Sequence, residues 1–315
     1  MRKLFRLSER LQSTWQEVLE EFCLHQQAQG KAERTLYDYR AWIGRFFRRH
    51  PDAWGDYERL RRAVLEHFAH LSHKAPATFN MARKYLKLFF AWCVREGYLP
   101  ANPVDGIKKR REDGTPRPVS LEAVQKLLTA CDRKSFTGLR DYALILFQLD
   151  TGVRPGEALK LLPEHFNLRS LEVYIPAQVS KTRAARTVVI SPQTARAVQR
   201  LLAVRPAAWG SKAPVFCSET GQPMQVSSWT HRLALISRRA GVKVTPYQLR
   251  HTAATELLRG GASAFAVARQ LGHLHLSTTR RYIQLVEEDL RREHDRASPV
   301  ARLVPERVRA PRRLD

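Results

Sequence analysis

The chain has 315 residues, enough for two domains, and its 43% of hydrophobic residues can supply ordinary cores. Residues 1–117 contain 23 basic and 14 acidic side chains and residues 118–315 contain 31 and 16, which together give a net charge of +24. Both halves are therefore suited to bind a polyanion, although a genome that favours arginine would produce the same excess.

Several classes of protein are excluded by simple patterns. No segment approaches 18 consecutive apolar residues, so no membrane span or membrane partner is expected. The basic start, residues 1–6, has no apolar run behind it, which argues against a signal peptide. The four cysteines show no paired C-x-x-C spacing and are expected to be reduced core residues. We therefore predict a cytoplasmic protein associated with the nucleoid.

Residues 12–97 are predicted to be helical. Apolar side chains recur there with the 3.6-residue period of an amphipathic helix. One helix should run from Thr78, as its N-cap, to Gly97. The periodic sets are Trp15, Val18, Leu19, Phe22 and Cys23; Tyr39, Trp42, Ile43, Phe46 and Phe47; and Tyr85, Leu86, Phe89, Phe90 and Cys93.

Helix-breaking residues surround a charge run in 100–118 and predict a basic linker. It contains Lys108 and Lys109, which could contact DNA where the linker passes from one domain to the other. Upstream, Arg83 and Lys87 are four residues apart and share a helix face, which suits contact with DNA phosphates. A solvated basic face is the alternative for that pair. The predicted division is a helical domain in 1–99, the linker, a second domain in 119–296 and a tail in 297–315.

The second domain mixes helices with short strands. Residues 171–175 and 186–190 have β-strand character, with a polar connection between them. The fold class is therefore predicted to be mainly α with a small β-sheet (α+β). Helices are expected at 120–131, 138–149, 193–203, 226–240, 247–259, 263–271 and 277–292, and the tail is expected to be extended.

Five residues of the second domain have the side chains needed to break a DNA phosphodiester. The two arginines can each donate paired hydrogen bonds to non-bridging phosphate oxygens, and a phenol oxygen can attack phosphorus. None of these residues resembles a metal cluster, so neither a metal nor another cofactor is expected. The five are Arg154, in TGVRPGE; Lys181, between the strands; Arg250, in PYQLRH; His273, in LGH; and Tyr282, nine residues after His273.

The order and spacing of these motifs resemble the tyrosine recombinase, or phage integrase, family, especially its compact Xer-type members. The resemblance covers residues 12–297. It implies a helical core-binding domain and a mixed α/β catalytic domain that clamp DNA, and strand exchange through a 3′-phosphotyrosyl intermediate without ATP. It also implies that Tyr282 is the nucleophile, that Lys181 protonates the departing 5′ oxygen and that His273 donates a hydrogen bond to the phosphate.

Two positions need separate comment. Glu157, one helical turn after Arg154, is expected to orient that guanidinium. Tyr247 stands where the family usually has histidine, the general base for the nucleophile. With an unperturbed pKa of about 10, a phenol is a poor base at neutral pH but a good hydrogen-bond donor to phosphate. Tyr247 is therefore predicted to support the phosphate, and the general base is left open.

Two other functions share some of these features. Residues 254–283 could form a helix-turn-helix of a transcription regulator, which would explain the charge but not Arg154, Lys181 and Arg250. A type IB topoisomerase would share the chemistry, but the separate N-terminal half and the tail favour recombination. The tail carries Val300, Leu303 and Val304, and the resemblance implies that it packs on a neighbouring subunit. The assembly implied is a tetramer of this chain alone, or of this chain with a paralogue. A disordered basic tail is the alternative.

Overall fold

The computed structural model describes residues 13–112, 117–273, 275–283, 294 and 297–303. The chain divides into two compact units, Met1–Asp113 and Gly114–Asp315. Within those ranges, no helix is both long and apolar enough to cross a membrane.

The described part of the first unit, residues 13–112, forms four α-helices. The first begins with a capping box, in which Thr14 and Glu17 exchange hydrogen bonds. The fourth begins at Pro76, two residues before the predicted N-cap, because proline suits the first helical position. The helices are α1 (Trp15–Ala28), α2 (Glu33–Arg49), α3 (Tyr57–His70) and α4 (Pro76–Arg95).

Aromatic side chains fill the core of this unit. The predicted periodic residues of α1, α2 and α4 are the ones that the core buries, with Trp15 and Trp42 only partly covered. Many ring pairs meet edge to face, a favourable geometry for aromatic quadrupoles. Five phenylalanines of the cluster are fully buried: Phe22, Phe46, Phe47, Phe89 and Phe90.

Much of the predicted linker packs on the first unit. Val104 is fully buried in the aromatic core. Arg83 Nε donates a hydrogen bond to the carbonyl oxygen of Ile107, and Lys87 Nζ lies 2.8 Å from an oxygen of Asp105. The division between the units falls after Asp113, inside the predicted linker of 100–118, and buried side chains hold the earlier part of that segment on the first unit.

The second unit contains the small sheet. Its strands are antiparallel in the order β1-β2-β3, with Val173 of β2 opposite Val188 of β3. The two predicted strands are observed, and a two-residue strand that the sequence analysis missed precedes them. The strands are β1 (Phe166–Asn167), β2 (Glu172–Ile175) and β3 (Arg186–Val189).

The helices of the second unit begin near the predicted positions. A one-turn helix starting at Pro155 was not predicted. The helices are α5 (Leu121–Thr129), α6 (Phe136–Thr151), α7 (Pro155–Ala158), α8 (Pro192–Ala203), α9 (Val226–Arg239), α10 (Pro246–Arg259), α11 (Ala264–Leu271) and α12 (Leu276–Ile283). The central helix α6 packs against α8 and α10, and the apolar core surrounds it.

The start of the tail departs from the sequence prediction. Instead of an extended chain, Pro299–Leu303 forms a short helix, α13. Proline at the first helical position has a preset φ and no N–H to leave unpaired, which favours this turn. Residues 284–292 of the last predicted helix, and residues 304–315 of the tail with Val304, lie outside the described residues.

Candidate active site

A glycine turn positions Arg154 after α6. The helix ends at Gly152, whose φ of 61° is in the left-handed region. A Cβ at Gly152 would lie 2.3 Å from a methyl carbon of Leu271, so the close approach of α11 also requires glycine. Thr151 Oγ1 accepts a hydrogen bond from the N–H of Val153 at 3.2 Å. The turn delivers Arg154 to the position just before α7.

Glu157 joins three segments of the site. The side chain is 2% exposed, and its Oε1 lies 3.1 Å from Arg154 Nη1 and 3.0 Å from the backbone N of Lys181. Its Oε2 accepts a hydrogen bond from Arg186 Nη2 at 2.7 Å. Burial alone would raise the pKa of Glu157, but these donors and the charges of Arg186 and Arg154 lower that pKa below its usual value. Glu157 is therefore an anionic anchor for the arginine and for the β2–β3 connection.

Lys181 lies in the connection between β2 and β3. Its side chain is exposed, while its backbone is held by Glu157. Arg183, two residues later, has a φ of 55°, a left-handed conformation that is uncommon outside glycine. The loop thus fixes the main chain at Lys181 and leaves its ammonium group at the surface.

Arg250 is a buried guanidinium on α10. Its Nη1 donates hydrogen bonds to the carbonyl oxygens of Gly152, at 2.5 Å, and Leu271, at 3.1 Å. Its Nη2 lies 2.9 Å from His273 Nε2. These bonds join the glycine turn after α6 to the end of α11. Arg250 is 5% exposed.

The surroundings of Arg250 are electrostatically unfavourable for a cation. Burial lowers its pKa to about 10, and the positive charge of Arg154 acts in the same direction. Ionised Tyr282 and Glu157 would each raise that pKa. Two guanidinium groups are thus close enough to repel each other, an arrangement that a bound anion would stabilise.

His273 is held between Arg250 and α12. Its Nδ1 lies 2.8 Å from Thr279 Oγ1, and its Nε2 faces Arg250. The preceding Gly272 has a φ of 68°, and a Cβ there would lie 2.6–2.8 Å from the guanidinium of Arg186. The LGH motif therefore requires glycine both for its backbone and for close packing.

Tyr282 is 3% exposed and lies on α12 among apolar side chains of α10 and α11. Its hydroxyl oxygen is 2.9 Å from Nδ1 of His251. The ring of His273 stacks on the Tyr282 ring, with centroids 6.3 Å apart and planes 12° apart. The apolar cluster around the phenol consists of Ala254, Val267 and Leu271.

Tyr247 lies apart from this network. It is in the first turn of α10, which begins with a capping box between Thr245 and Gln248. Its side chain is 54% exposed, and no hydrogen bond of its hydroxyl occurs within the described part of the chain. The structure thus brings together five of the predicted residues and Glu157, and leaves Tyr247 at the surface.

The predicted DNA-binding residues lie in the first unit. Lys108 and Lys109 are exposed, whereas Arg83 and Lys87 are half-buried and contact residues 105 and 107. Among the residues that the structure describes, no three His, Cys, Asp or Glu side chains form a cluster that could hold a metal ion.

Three residues of the site escaped the sequence analysis. They are His251, Arg186 and Thr279. The signal for His251 is weak, because its partner Tyr282 is 31 residues away. Gly272 offered a better hint for Arg186, since glycine within a motif often marks the close approach of another group.

Comparison with known proteins supports one family. Residues 119–289, more than half of the chain, match the model of the phage integrase family. The chain belongs to the phage integrase family of tyrosine recombinases. This recombinase is a site-specific enzyme that breaks and rejoins DNA strands. Family membership argues against a transcription regulator, and Tyr282 on α12 is buried.

The recombinase is similar to Xer proteins along most of its length. Tyrosine recombinase XerC of Myxococcus xanthus is 32% identical over 238 residues, which cover 72% of this chain and 78% of that protein. XerC of Yersinia pestis is 30% identical over 220 residues, with 69% and 71% covered.

Solved structures share the fold of the recombinase. The XerH recombinase bound to its difH substrate has a TM-score of 0.65 at 20% identity, with 92% of this chain and 88% of that chain covered. A lambda integrase tetramer bound to a Holliday junction has a TM-score of 0.70 at 16% identity, with 86% and 80% covered. The predicted α+β fold class is thereby confirmed.

Proposed function

We propose that Tyr282 attacks the scissile phosphate of a recombination site in double-stranded DNA. The reaction forms a 3′-phosphotyrosyl bond and releases a 5′ hydroxyl. Because the phosphodiester energy is kept in the protein–DNA bond, rejoining needs no ATP. The arginines supply the charge stabilisation, so the step needs no metal ion.

The observation that carries this proposal is that Arg250 is hydrogen-bonded to the glycine turn that positions Arg154 and lies beside His273. The charge of Arg154 adds to the unfavourable burial of Arg250, and Glu157 offsets it only in part, so a phosphate bound near both guanidiniums would stabilise the site. Two planar donors can hold the non-bridging oxygens of a phosphate while negative charge builds up at phosphorus. The buried carboxylate of Glu157 orients Arg154 through their 3.1 Å contact.

The other site residues complete the reaction. Lys181 donates a proton to the departing 5′ oxygen, a role that suits an exposed side chain on an anchored loop. In this structure His273 Nε2 accepts a hydrogen bond from Arg250. When DNA binds, that bond breaks and a protonated Nε2 donates to the phosphate instead. Tyr247, exposed at the start of α10, adds a further donor to the phosphate.

DNA binding and assembly extend over the whole chain. The helical first unit binds the core of the site, with Arg83, Lys87, Lys108 and Lys109 near the backbone phosphates, and the second unit carries out catalysis. Four subunits, of this chain alone or with a paralogue, bring two sites together. The DNA-bound relatives and the tetrameric lambda integrase complex support this proposal, and a cytoplasmic enzyme at the nucleoid fits it.

A suicide substrate tests the assignment of the nucleophile. A duplex selected from a random library by binding to Tyr282→Phe, then nicked beside the cleavage position, should trap a covalent adduct with the native enzyme. Tyr282→Phe should bind the same duplex and form no adduct. A chelator should leave the adduct yield unchanged. Adduct formation by Tyr282→Phe would show that another residue is the nucleophile.

A further inference from the structure

His251 contacts the hydroxyl of the proposed nucleophile, Tyr282. Its Nδ1 is 2.9 Å from the hydroxyl oxygen of Tyr282, and the two ring centroids are 5.7 Å apart. His251 directly follows Arg250, so one turn of α10 carries both the clamp and this imidazole. The contact joins residues 31 positions apart and brings a nitrogen to the attacking atom itself.

The attacking phenol requires a proton acceptor. At its unperturbed pKa of about 10, tyrosine is almost entirely protonated at neutral pH. An imidazole with a pKa of about 6.5 is mostly neutral there and presents one unprotonated nitrogen. With its proton on Nε2, His251 presents Nδ1 as a hydrogen-bond acceptor to the Tyr282 hydroxyl, the tautomer that their 2.9 Å contact suits.

The other titratable groups near the phenol are less suitable. Tyr247 is a phenol itself and is 54% exposed. His273 stacks face to face on the Tyr282 ring, and its two nitrogens face Arg250 and Thr279. Arg250 lies close enough for its charge to favour the phenolate, but it has no proton-accepting atom. His251 alone among them has a ring nitrogen at the hydroxyl.

We infer that His251 is the general base that takes the proton of Tyr282 as the phenol oxygen attacks phosphorus. This inference rests on the proposed function and names its missing proton acceptor. The Oη–H bond breaks as the Oη–P bond forms, and the proton moves to Nδ1. The P–O5′ bond breaks with its electron pair on O5′, which receives a proton from Lys181. In rejoining, the protonated His251 returns its proton to the phenol oxygen.

The pH dependence of single-turnover adduct formation tests this role. With the nicked duplex, the native rate should rise with pH through the range in which an imidazole loses its proton and then level off. His251→Ala should be about 10²- to 10⁴-fold slower near neutral pH, with a rate that keeps rising toward roughly pH 10. Added imidazole should speed His251→Ala in proportion to the unprotonated imidazole, and should not affect the native enzyme.

A second variant separates proton transfer from simple packing. His251→Asn keeps a polar group near the Nδ1 position but cannot take up the proton, so it should bind DNA normally and cleave slowly. His231→Asn, at an exposed histidine of α9, is the matched control and should retain the native rate and pH profile. A His251→Asn enzyme with the native rate, or with the native pH break, would overturn the inference.

The outcomes also separate this inference from the proposed nucleophile. If His251→Asn cleaves at the native rate while Tyr282→Phe forms no adduct, Tyr282 remains the nucleophile and only the base is wrong. If Tyr282→Phe still forms the adduct, Tyr282 is not the nucleophile and the proposed function itself is wrong. Circular dichroism and binding of the selected duplex confirm that each variant is folded.

Discussion

The guanidinium of Arg250 has a structural role in addition to its proposed catalytic one. Its Nη1 bonds to the carbonyl oxygens of Gly152 and Leu271, which hold the turn after α6 next to the end of α11. Replacing Arg250 by alanine would leave two buried acceptors without partners, at about 1–3 kcal/mol each. Catalytic loss at this position would therefore be mixed with loss of stability. A surface donor such as Tyr247 gives a cleaner test at the scale of one residue.

Tyr247→Phe is expected to slow adduct formation about 5- to 150-fold, because one hydrogen bond to the phosphate, worth about 1–3 kcal/mol, is lost. The pH profile should keep its native shape, since Tyr247 does not accept the proton. The measurement is the single-turnover rate on the nicked duplex at several pH values.

Tyr174→Phe is the control, because Tyr174 is a half-exposed tyrosine on β2, away from the described site contacts. It should cleave like the native enzyme. An unimpaired Tyr247→Phe would remove Tyr247 from the set of phosphate donors.

At the scale of elements, the active site is held together by short segments rather than by one long helix. Glu157 of α7 bonds to the β2–β3 connection and to Arg186 at the start of β3. The Arg186 guanidinium in turn lies beneath Gly272, just before His273. Its Nε and Nη1 are buried without hydrogen-bond partners among the described residues, so packing and the Glu157 ion pair position it.

Gly272→Ala should lower the rate of adduct formation by roughly 100-fold, the effect of about a 1 Å displacement at an active site. The new Cβ would lie 2.6 Å from the Arg186 guanidinium carbon and would push His273 or Arg186 from its place. The left-handed backbone should add about 1–2 kcal/mol of destabilisation.

Gly261→Ala is a matched control for the backbone cost. Gly261 has a φ of 87°, but a Cβ there would meet nothing within 4 Å. It should lose similar stability in thermal melts yet keep the native rate. Equal rates for the two variants would contradict the proposed role of close packing at Gly272.

The packing of α2 against α3 makes the first unit sensitive to acid. Burial, together with the nearby positive charges of His50, Arg49 and His70, lowers the pKa of His67 to about 4. In the unfolded chain the pKa of histidine is about 6.5. The unfolded state therefore binds more protons between about pH 6.5 and 4, and the contribution of His67 to stability is lost as the pH falls through that window.

His67→Leu should reduce the acid-induced loss of unfolding free energy, by up to about 3 kcal/mol between pH 7 and 4. Tryptophan fluorescence during urea unfolding of the full chain can follow this, since four of the six tryptophans, at 15, 42, 54 and 92, are in the first unit. His231→Leu, at an exposed histidine of the second unit, should not change the loss. An equal loss in all three proteins would exclude His67 as a source.

At the scale of the whole molecule, charge and assembly matter more than single contacts. The net charge of +24 is spread over both units. Binding should therefore release many counterions from the DNA phosphates, and because added salt opposes that release, DNA affinity should fall steeply with salt concentration. The start of the tail, in contrast, exposes apolar side chains. Val300 and Leu303 of α13 are 63% and 79% exposed, which suits contact with another subunit.

Replacing Val300 and Leu303 together by aspartate should weaken the assembly of two sites into a synaptic complex while leaving binding of one site unchanged. Charged side chains would be buried at the proposed subunit contact, which is unfavourable. Native gels with one and two selected duplexes measure the two steps. Val204→Asp, at an exposed apolar residue after α8, is the control and should assemble normally. Normal assembly of the double variant would contradict a subunit contact through α13.

The sequence by itself determined the elements and the motifs. Helical periodicity identified α1, α2 and α4 and located the longer helices of the second unit to within a few residues, because the apolar stripe of a helix recurs at nearby sequence positions. It gave no separate prediction for α3. The glycine-flanked TGVR and LGH motifs located Arg154 and His273, because their turns depend on local backbone geometry. The short elements α7 and β1 were missed, since they are too short to show a period, and α13 was missed because proline usually ends helices.

Only the tertiary structure decided which residues meet. The approach of His251 to Tyr282, and of Arg186 to Gly272, depends on how α10, α11, α12 and β3 pack, and no local pattern encodes distances between segments 31 or 86 positions apart. The same holds for the segment before Asp113, whose prolines and charges indicate a linker although Val104 is buried in the core. Sequence thus specified the chemical groups of this recombinase, and packing decided their partners.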